Sequence, residues 1–227
     1  VLRALGYFVV LLVVLALAAG GVYYYWRSQQ PQESIYDPLI VNVARNEGVD
    51  PFLIRAVIWR ESRFDPLTHG GADEHGLMQV RPDVGDLWAK VNKVEDFNSD
   101  KLYDPETNIR VGTWYLNRSL RRYSLTDDPA TFALAEYNAG HSNAEKWIDP
   151  LAPLSHTAFL DRITFPGTRK YVEVILAKRD EFSHTYANDR WYKIDPDAPG
   201  PLTNAPSALT NAPAALTNVP APATNRP

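Results

Sequence analysis

The chain has 227 residues, no cysteine and a formal net charge of -4. These exclude a disulfide framework, a thiolate metal site and a cysteine nucleophile, and they supply no general attraction to nucleic acid. Apolar residues at 45% and charged residues at 22% are ordinary for a globular domain, but the uncharged N-terminal stretch and the 18 prolines are unevenly placed, so composition is read by segment.

Between Arg3 and Arg27 the residues from Ala4 to Trp26 carry no charge. At about 1.5 Å per residue a helix of that length crosses a hydrocarbon core of roughly 30 Å. Residues 1–33 are therefore expected to be one transmembrane helix and a juxtamembrane linker. Tyr23, Tyr24, Tyr25 and Trp26 form an aromatic cluster suited to the membrane interface. The competing reading is a cleaved signal peptide, with Ala16-Leu17-Ala18 as the small-residue site. Arg3 and the amino terminus bias the N-terminus inward, which puts the rest of the chain on the extracytoplasmic or periplasmic side of the cell membrane.

Residues 34–187 form the expected folded domain, and their punctuation is helical. Asp37-Pro38, Asp50-Pro51, Asp104-Pro105 and Asp128-Pro129 each set an N-cap acceptor before a proline suited to the first helical position. Apolar residues follow at three-to-four spacing: Leu39, Val43 and Ala44; Ile54, Val57 and Ile58; Ile109, Gly112 and Leu116; Phe132, Ala135 and Tyr137; then Tyr171, Val174, Ile175 and Phe182. No segment alternates as a strand, so the fold class is mostly α. Residues 188–227 are expected to be a disordered tail. From Leu202 a seven-residue unit repeats at Leu209 and Leu216 and decays at Ala223, and the proline in each unit forbids a coiled coil.

The helix from Pro51 to Ser62 carries a carboxylate in a core position. Its stripe through Ile54, Val57 and Ile58 continues onto Glu61. Burial disfavours an ionised carboxyl and raises its pKa from about 4.3 toward about 6, which keeps a general acid protonated near neutrality. The alternative is a Glu61 that swings to solvent or pairs with Arg55, Arg60 or Arg63.

Further motifs follow in order. Glu61-Ser62-Arg63-Phe64-Asp65-Pro66 leads to Gly70 and Gly71, then to Gly76-Leu77-Met78-Gln79; Asn108 to Gly112 open a long helix; Ala135-Glu136-Tyr137-Asn138-Ala139-Gly140 closes the next; Thr168-Arg169-Lys170-Tyr171 comes last. In this order and spacing the segments resemble the lysozyme-like lytic transglycosylases, in the soluble lytic transglycosylase (SLT) branch, over about Leu39 to Phe182. The resemblance implies a goose-type, SLT helical fold with a groove for bacterial peptidoglycan. It implies that Glu61 is the catalytic acid, that Met78, Gln79, Tyr137, Asn138 and Tyr171 bind substrate or flank the acid, and that Asn108 and Gly112 are structural. The chain also departs from the family. A serine often found nine residues after the acid is Gly70, the small residues before Gly-Leu-Met-Gln are Asp73-Glu74-His75, and an acidic residue before Thr-Arg is Gly167.

The family is similar to ordinary glycosidases in its acid alone, since those use two carboxylates. The resemblance implies that Glu61 protonates the oxygen between N-acetylmuramic acid and N-acetylglucosamine, then takes the proton of the muramoyl C6 hydroxyl as it closes a 1,6-anhydro ring. Asn138 and Gln79 are expected to supply amides for N-acetyl groups, and Tyr137 and Tyr171 to bond the acid. Glu136 is expected to face solvent, and Glu74 is a lesser candidate for assisting at the site. His69, His75, His141, His156 and His184 show no ligand spacing with acids, so neither a metal nor another cofactor is expected. Arg118, Arg121 and Arg122 read as a solvated helix face. Two rival functions remain open, muramidase hydrolysis on the same scaffold and a wall-binding scaffold without turnover. The partners expected are peptidoglycan strands and, through the N-terminal helix, the membrane.

Overall fold

Proline sets where most helices begin. In this computed structural model, which describes Tyr7, residues 12–21, residues 33–189 and Tyr192, the helices after the N-terminal segment are α1 (Asp37–Glu47), α2 (Pro51–Ser62), α3 (Pro82–Asn92), α4 (Pro105–Arg122), α5 (Pro129–Ala139), α6 (His141–Trp147), α7 (His156–Arg162) and α8 (Pro166–Tyr186). A proline occupies the first turn of α1 to α5 and of α8, where its missing N–H costs no helical bond. Asp50, Asp104 and Asp128 cap as expected, accepting from the amides of Phe52, Thr107 and Ala130 at 2.9, 2.8 and 3.2 Å. Such caps stabilise a helix by about 1 kcal/mol each.

Asp37 departs from that pattern. It lies inside α1, buried, and its carboxylate pairs with the Arg55 guanidinium of α2. The Tyr192 hydroxyl joins them, donating to Asp37 at 2.8 Å with Arg55 at 3.0 Å. The rings of Phe182 and Tyr186 lie under the guanidinium at 4.8 and 4.3 Å. Arg55 is thus part of a buried cluster with Asp37 and Tyr192.

The chain divides into two units, Val1–Ser34 and Ile35–Pro227. In the first, Tyr7 and residues 12–21 are helical and exposed. Most of the expected span lies outside the described residues, and among those described no helix is long and apolar enough to cross a membrane. In the second unit α5 is the central helix, packed by α4, α6, α7 and α8. Every residue from Ala130 to Tyr137 is buried. Helix α2 packs on α8 and α1, and this packing sets the last turn of α2 beside the first turns of α8. Among the described residues no named strand occurs, and the loop before α3 has only isolated bridges, His69 with His75 and His75 with Val80. The folded unit reaches past Ala187, because Tyr192 is buried against the Phe52 ring, centroids 4.6 Å apart. The repeat tail from Leu202 lies outside the described residues.

Candidate active site

Glu61 stands on the last turn of α2 and is half-buried rather than fully in the core. The helix stops sharply after it. Arg63 and Phe64 take left-handed φ of 54° and 65°, and Ser62 holds the break by donating to the Ile58 carbonyl at 3.1 Å and accepting from the Phe64 amide at 3.2 Å. Two successive non-glycine residues in that region store backbone strain, a feature that clusters at functional sites.

Tyr171, in α8 and almost fully buried, donates its hydroxyl proton to Glu61 Oε1 at 2.6 Å. Burial first, and then the charge of Glu61, push the phenol well above its ordinary pKa, so it stays a donor across the physiological range. Arg60 lies over the Tyr171 ring at 5.7 Å and Arg63 over the Trp59 ring at 3.6 Å.

The other expected residues make contacts different from those expected. Met78 is fully buried and does not line a groove with its side chain. Its sulfur packs where a Cβ on Gly112 would stand, 2.6 Å from that position, so Gly112 is needed for the close approach. Its backbone takes the working contacts: the amide donates to Asn108 Oδ1 at 2.7 Å, and the carbonyl accepts the Tyr137 hydroxyl at 2.9 Å. Tyr137 therefore braces the loop instead of bonding the acid, although Glu61 and Glu74 both add to burial in raising its pKa. Gln79 is buried at φ 48°, and its Nε2 donates to the carbonyls of Thr68 and Gly76 at 3.0 and 2.9 Å. The amide fastens the loop rather than reaching out of it. Asn138 is half-buried, with Oδ1 accepting from Thr168 at 2.8 Å.

One acid departs from the expectation from sequence, and a second takes a place that the sequence left open. Glu136 is buried, because α5 has no solvent face; it accepts from Ser119 and Tyr123 at 2.7 and 2.8 Å, pairs with Arg122 and lies 3.0 Å from His141. Burial pushes its carboxyl up, but the Arg122 and Ser119 bonds, with Arg122's charge, outweigh this and hold it below the usual range. Arg122 is thus a partner of a buried acid and not part of a purely solvated face. Glu74 is also buried and accepts from the Ala72 amide at 3.0 Å. Its Oε2 lies 2.2 Å, and Gln79 Oε1 2.6 Å, from where a Cβ on Gly70 would stand. Two of the departures from the family pattern are therefore one: the side chain missing at Gly70 makes room for the Glu74 carboxylate.

Residues 38–152 match the family described as the transglycosylase SLT domain. The chain belongs to that family. This SLT-domain chain is 29% identical over 151 residues to a soluble lytic murein transglycosylase of Salmonella typhimurium, covering 66% of the chain and 23% of the relative. It is 36% identical over 111 residues to the membrane-bound lytic murein transglycosylase F of Desulfosudis oleivorans, covering 48% and 22%. The solved lytic transglycosylase Slt of Pseudomonas aeruginosa, an inactive glutamate-to-glutamine mutant, superposes with a TM-score of 0.59 at 25% identity over 64% of this chain and 23% of that one. The chain spans about a quarter of the length of the curated relatives it matches. The mostly helical, lysozyme-like architecture expected from the motifs is thus that of the SLT fold.

Sequence reasoning missed the supports of the SLT site. Asn108, assigned only a structural place, makes the loop's central bonds, its Nδ2 donating to the carbonyls of His75 and Leu102 at 2.7 and 2.6 Å. Thr68 carried no signal, since it acts through its carbonyl, which accepts from the Gly76 amide at 2.8 Å and from Gln79 Nε2; Thr168 stood in a motif, but its bond to Asn138 crosses from α8 to α5. The expectation of no ligand grouping also fails, because the loop folds His69, Asp73 and His75 together.

Proposed function

We propose that this SLT-family chain is a peptidoglycan lytic transglycosylase that cleaves the β-1,4 bond between N-acetylmuramic acid and N-acetylglucosamine and leaves a 1,6-anhydromuramoyl end. The observation that carries the reading is the Glu61–Tyr171 pair, a half-buried carboxyl at a helix end held through one oxygen by a buried phenol. With Oε1 engaged, the transferable proton belongs on Oε2. Glu61 gives it to the glycosidic oxygen as the bond to C1 breaks. The resulting carboxylate accepts the proton of the muramoyl C6 hydroxyl, whose oxygen bonds to C1. The enzyme proton is restored and no water is consumed, so the second carboxylate of an ordinary glycosidase is not required. A structural neighbour is inactive as a glutamate-to-glutamine mutant, which supports a glutamate as an essential group.

Glu74 is the nearest competitor, since a carboxylate able to activate water would give hydrolysis instead. Its bond from the Ala72 amide and its seat against Gly70 favour a loop-fixing role. Product analysis separates the outcomes, because hydrolysis leaves a reducing muramic acid while the transglycosylase leaves a product lighter by one water. Ala4 to Trp26 is read as the membrane anchor, with the domain on the extracytoplasmic side, and a relative named membrane-bound supports that placement. The expected result is full-length chain in the membrane fraction. A chain shortened to near Ala19 would establish signal cleavage.

A further inference from the structure

The loop between α2 and α3 doubles back through the His69–His75 bridge, which sets the two imidazoles side by side with ring centroids 5.0 Å apart. Asp73, turned by a left-handed φ of 61°, brings its carboxylate to both rings. Oδ1 is 3.0 Å from His75 Nε2 and 4.0 Å from His69 Nε2, and one ligand atom from each residue lies within 4.8 Å of the others. A second layer orients the rings. His69 Nδ1 is 3.1 Å from the Tyr103 hydroxyl and His75 Nδ1 is 3.5 Å from the Ser99 carbonyl, while the His75 ring stacks on Tyr103 at 4.8 Å. With an ion bound, a proton donated outward from each Nδ1 would leave both Nε2 lone pairs for the metal, the arrangement of a metal-ligating histidine with its supporting partner; without one, the 3.0 Å approach of His75 Nε2 to Asp73 Oδ1 is a hydrogen bond.

We propose that His69 Nε2, Asp73 Oδ1 and His75 Nε2 form a binding site for one divalent transition ion of the zinc class. Two imidazoles and one carboxylate suit zinc better than the oxygen-seeking magnesium or calcium, and three protein ligands leave a fourth position for water. Bonds of about 2.0–2.2 Å at tetrahedral angles require ligand atoms roughly 3.3–3.5 Å apart. The His69 side chain, 55% exposed, supplies the small inward movement this needs.

The site acts on the loop and not on the reaction. His75 is already fixed: its amide donates to the Val80 carbonyl at 2.9 Å, and its own carbonyl accepts from Val80 and Asn108 at 3.0 and 2.7 Å. His69 and Asp73 lie on the exposed arm. An ion tying that arm to His75 closes the segment in which Gly70, Glu74 and Gln79 pack together, so the ion is a structural clasp. This inference stands independently of the chemistry assigned to Glu61.

The test uses the full chain, stripped with a chelator and titrated with zinc chloride against a chromophoric competitor, with thermal melts in parallel. One saturable equivalent and a higher melting temperature are expected. Both are lost in His69→Ala and in Asp73→Asn, which fold normally because both side chains are exposed. Tyr103→Phe keeps the stacked ring and weakens affinity by about 10-fold or more through its support of His69, and His184→Ala, outside the cluster, leaves binding unchanged. The proposal is overturned by a wild-type chain with no saturable zinc binding, or by undiminished uptake in the His69→Ala, Asp73→Asn double variant. Equal losses in His184→Ala and His69→Ala would also overturn it.

Discussion

Tyr171 and Glu61 come from sequence positions 110 residues apart, yet the phenol hydroxyl lies 2.6 Å from the carboxylate. Because Tyr171 keeps its proton well above the usual phenol range, it does not titrate where the reaction would be assayed, and on the proposed mechanism the alkaline limb of kcat/KM should follow Glu61. A donated hydrogen bond favours the ionised carboxylate, so Tyr171→Phe should move that limb to higher pH while lowering kcat. A pH–rate profile of the two proteins checks this, and an unmoved limb would separate Tyr171 from the acid. Glu61 was singled out because helical register put a carboxylate on an apolar stripe, and the motifs around it, through the family resemblance, made it the candidate acid. The roles of Met78 and Gln79 were not legible, because their decisive contacts are made by backbone groups and loop carbonyls that residue type does not reveal.

At the scale of elements, the loop before α3 and the central helix α5 make separate predictions. Gly70→Ser puts new atoms where Glu74 and Gln79 already sit. It should lower stability by about 1–3 kcal/mol through overpacking, and Glu74→Ala in the same chain should recover part of that loss. Denaturant melts of both singles and the double close the cycle. Glu74→Gln, which keeps the shape, should retain substantial activity. Glu136 on α5 is held below the usual carboxylate range, so its contribution to stability is present above the unfolded value near 4.5 and is lost as pH falls through the folded one. Glu136→Gln should therefore cost about 3 kcal/mol at pH 7, the scale of breaking a buried pair, and the gap from wild type should narrow in melts taken below pH 4. Helices α1, α2, α4 and α5 were legible from their Asp-Pro pairs and apolar spacing and α8 from its spacing alone, whereas α3, α6 and α7 were not read from the sequence. The exposure of Glu136 was misjudged because α5 is wrapped on every side, a fact fixed by the packing of four other helices rather than by its own periodicity.

The whole second unit is closed by Tyr192, which carries a residue from beyond α8 back onto α1 and α2. Its ring covers Phe52 and its hydroxyl meets the buried Asp37–Arg55 pair, so Tyr192→Ala should cost about 3–5 kcal/mol, as for other buried aromatics. Tyr192→Phe should cost about 1–3 kcal/mol by removing one partner of that buried pair. Chemical denaturation of the full chain measures both, and a chain ended at Ala187 should match Tyr192→Ala. No local signal in the sequence announced this closure, because a single tyrosine after a helix end has no period to read. At the same scale stands the central claim, that Glu61 alone drives an intramolecular transglycosylation. Mass spectrometry of the muropeptides released from purified peptidoglycan tests it most directly: wild type should yield 1,6-anhydromuramoyl ends and Glu61→Gln should yield none above background at an unchanged melting temperature, whereas reducing muramic acid ends from wild type, or anhydro products from the variant, would contradict the account.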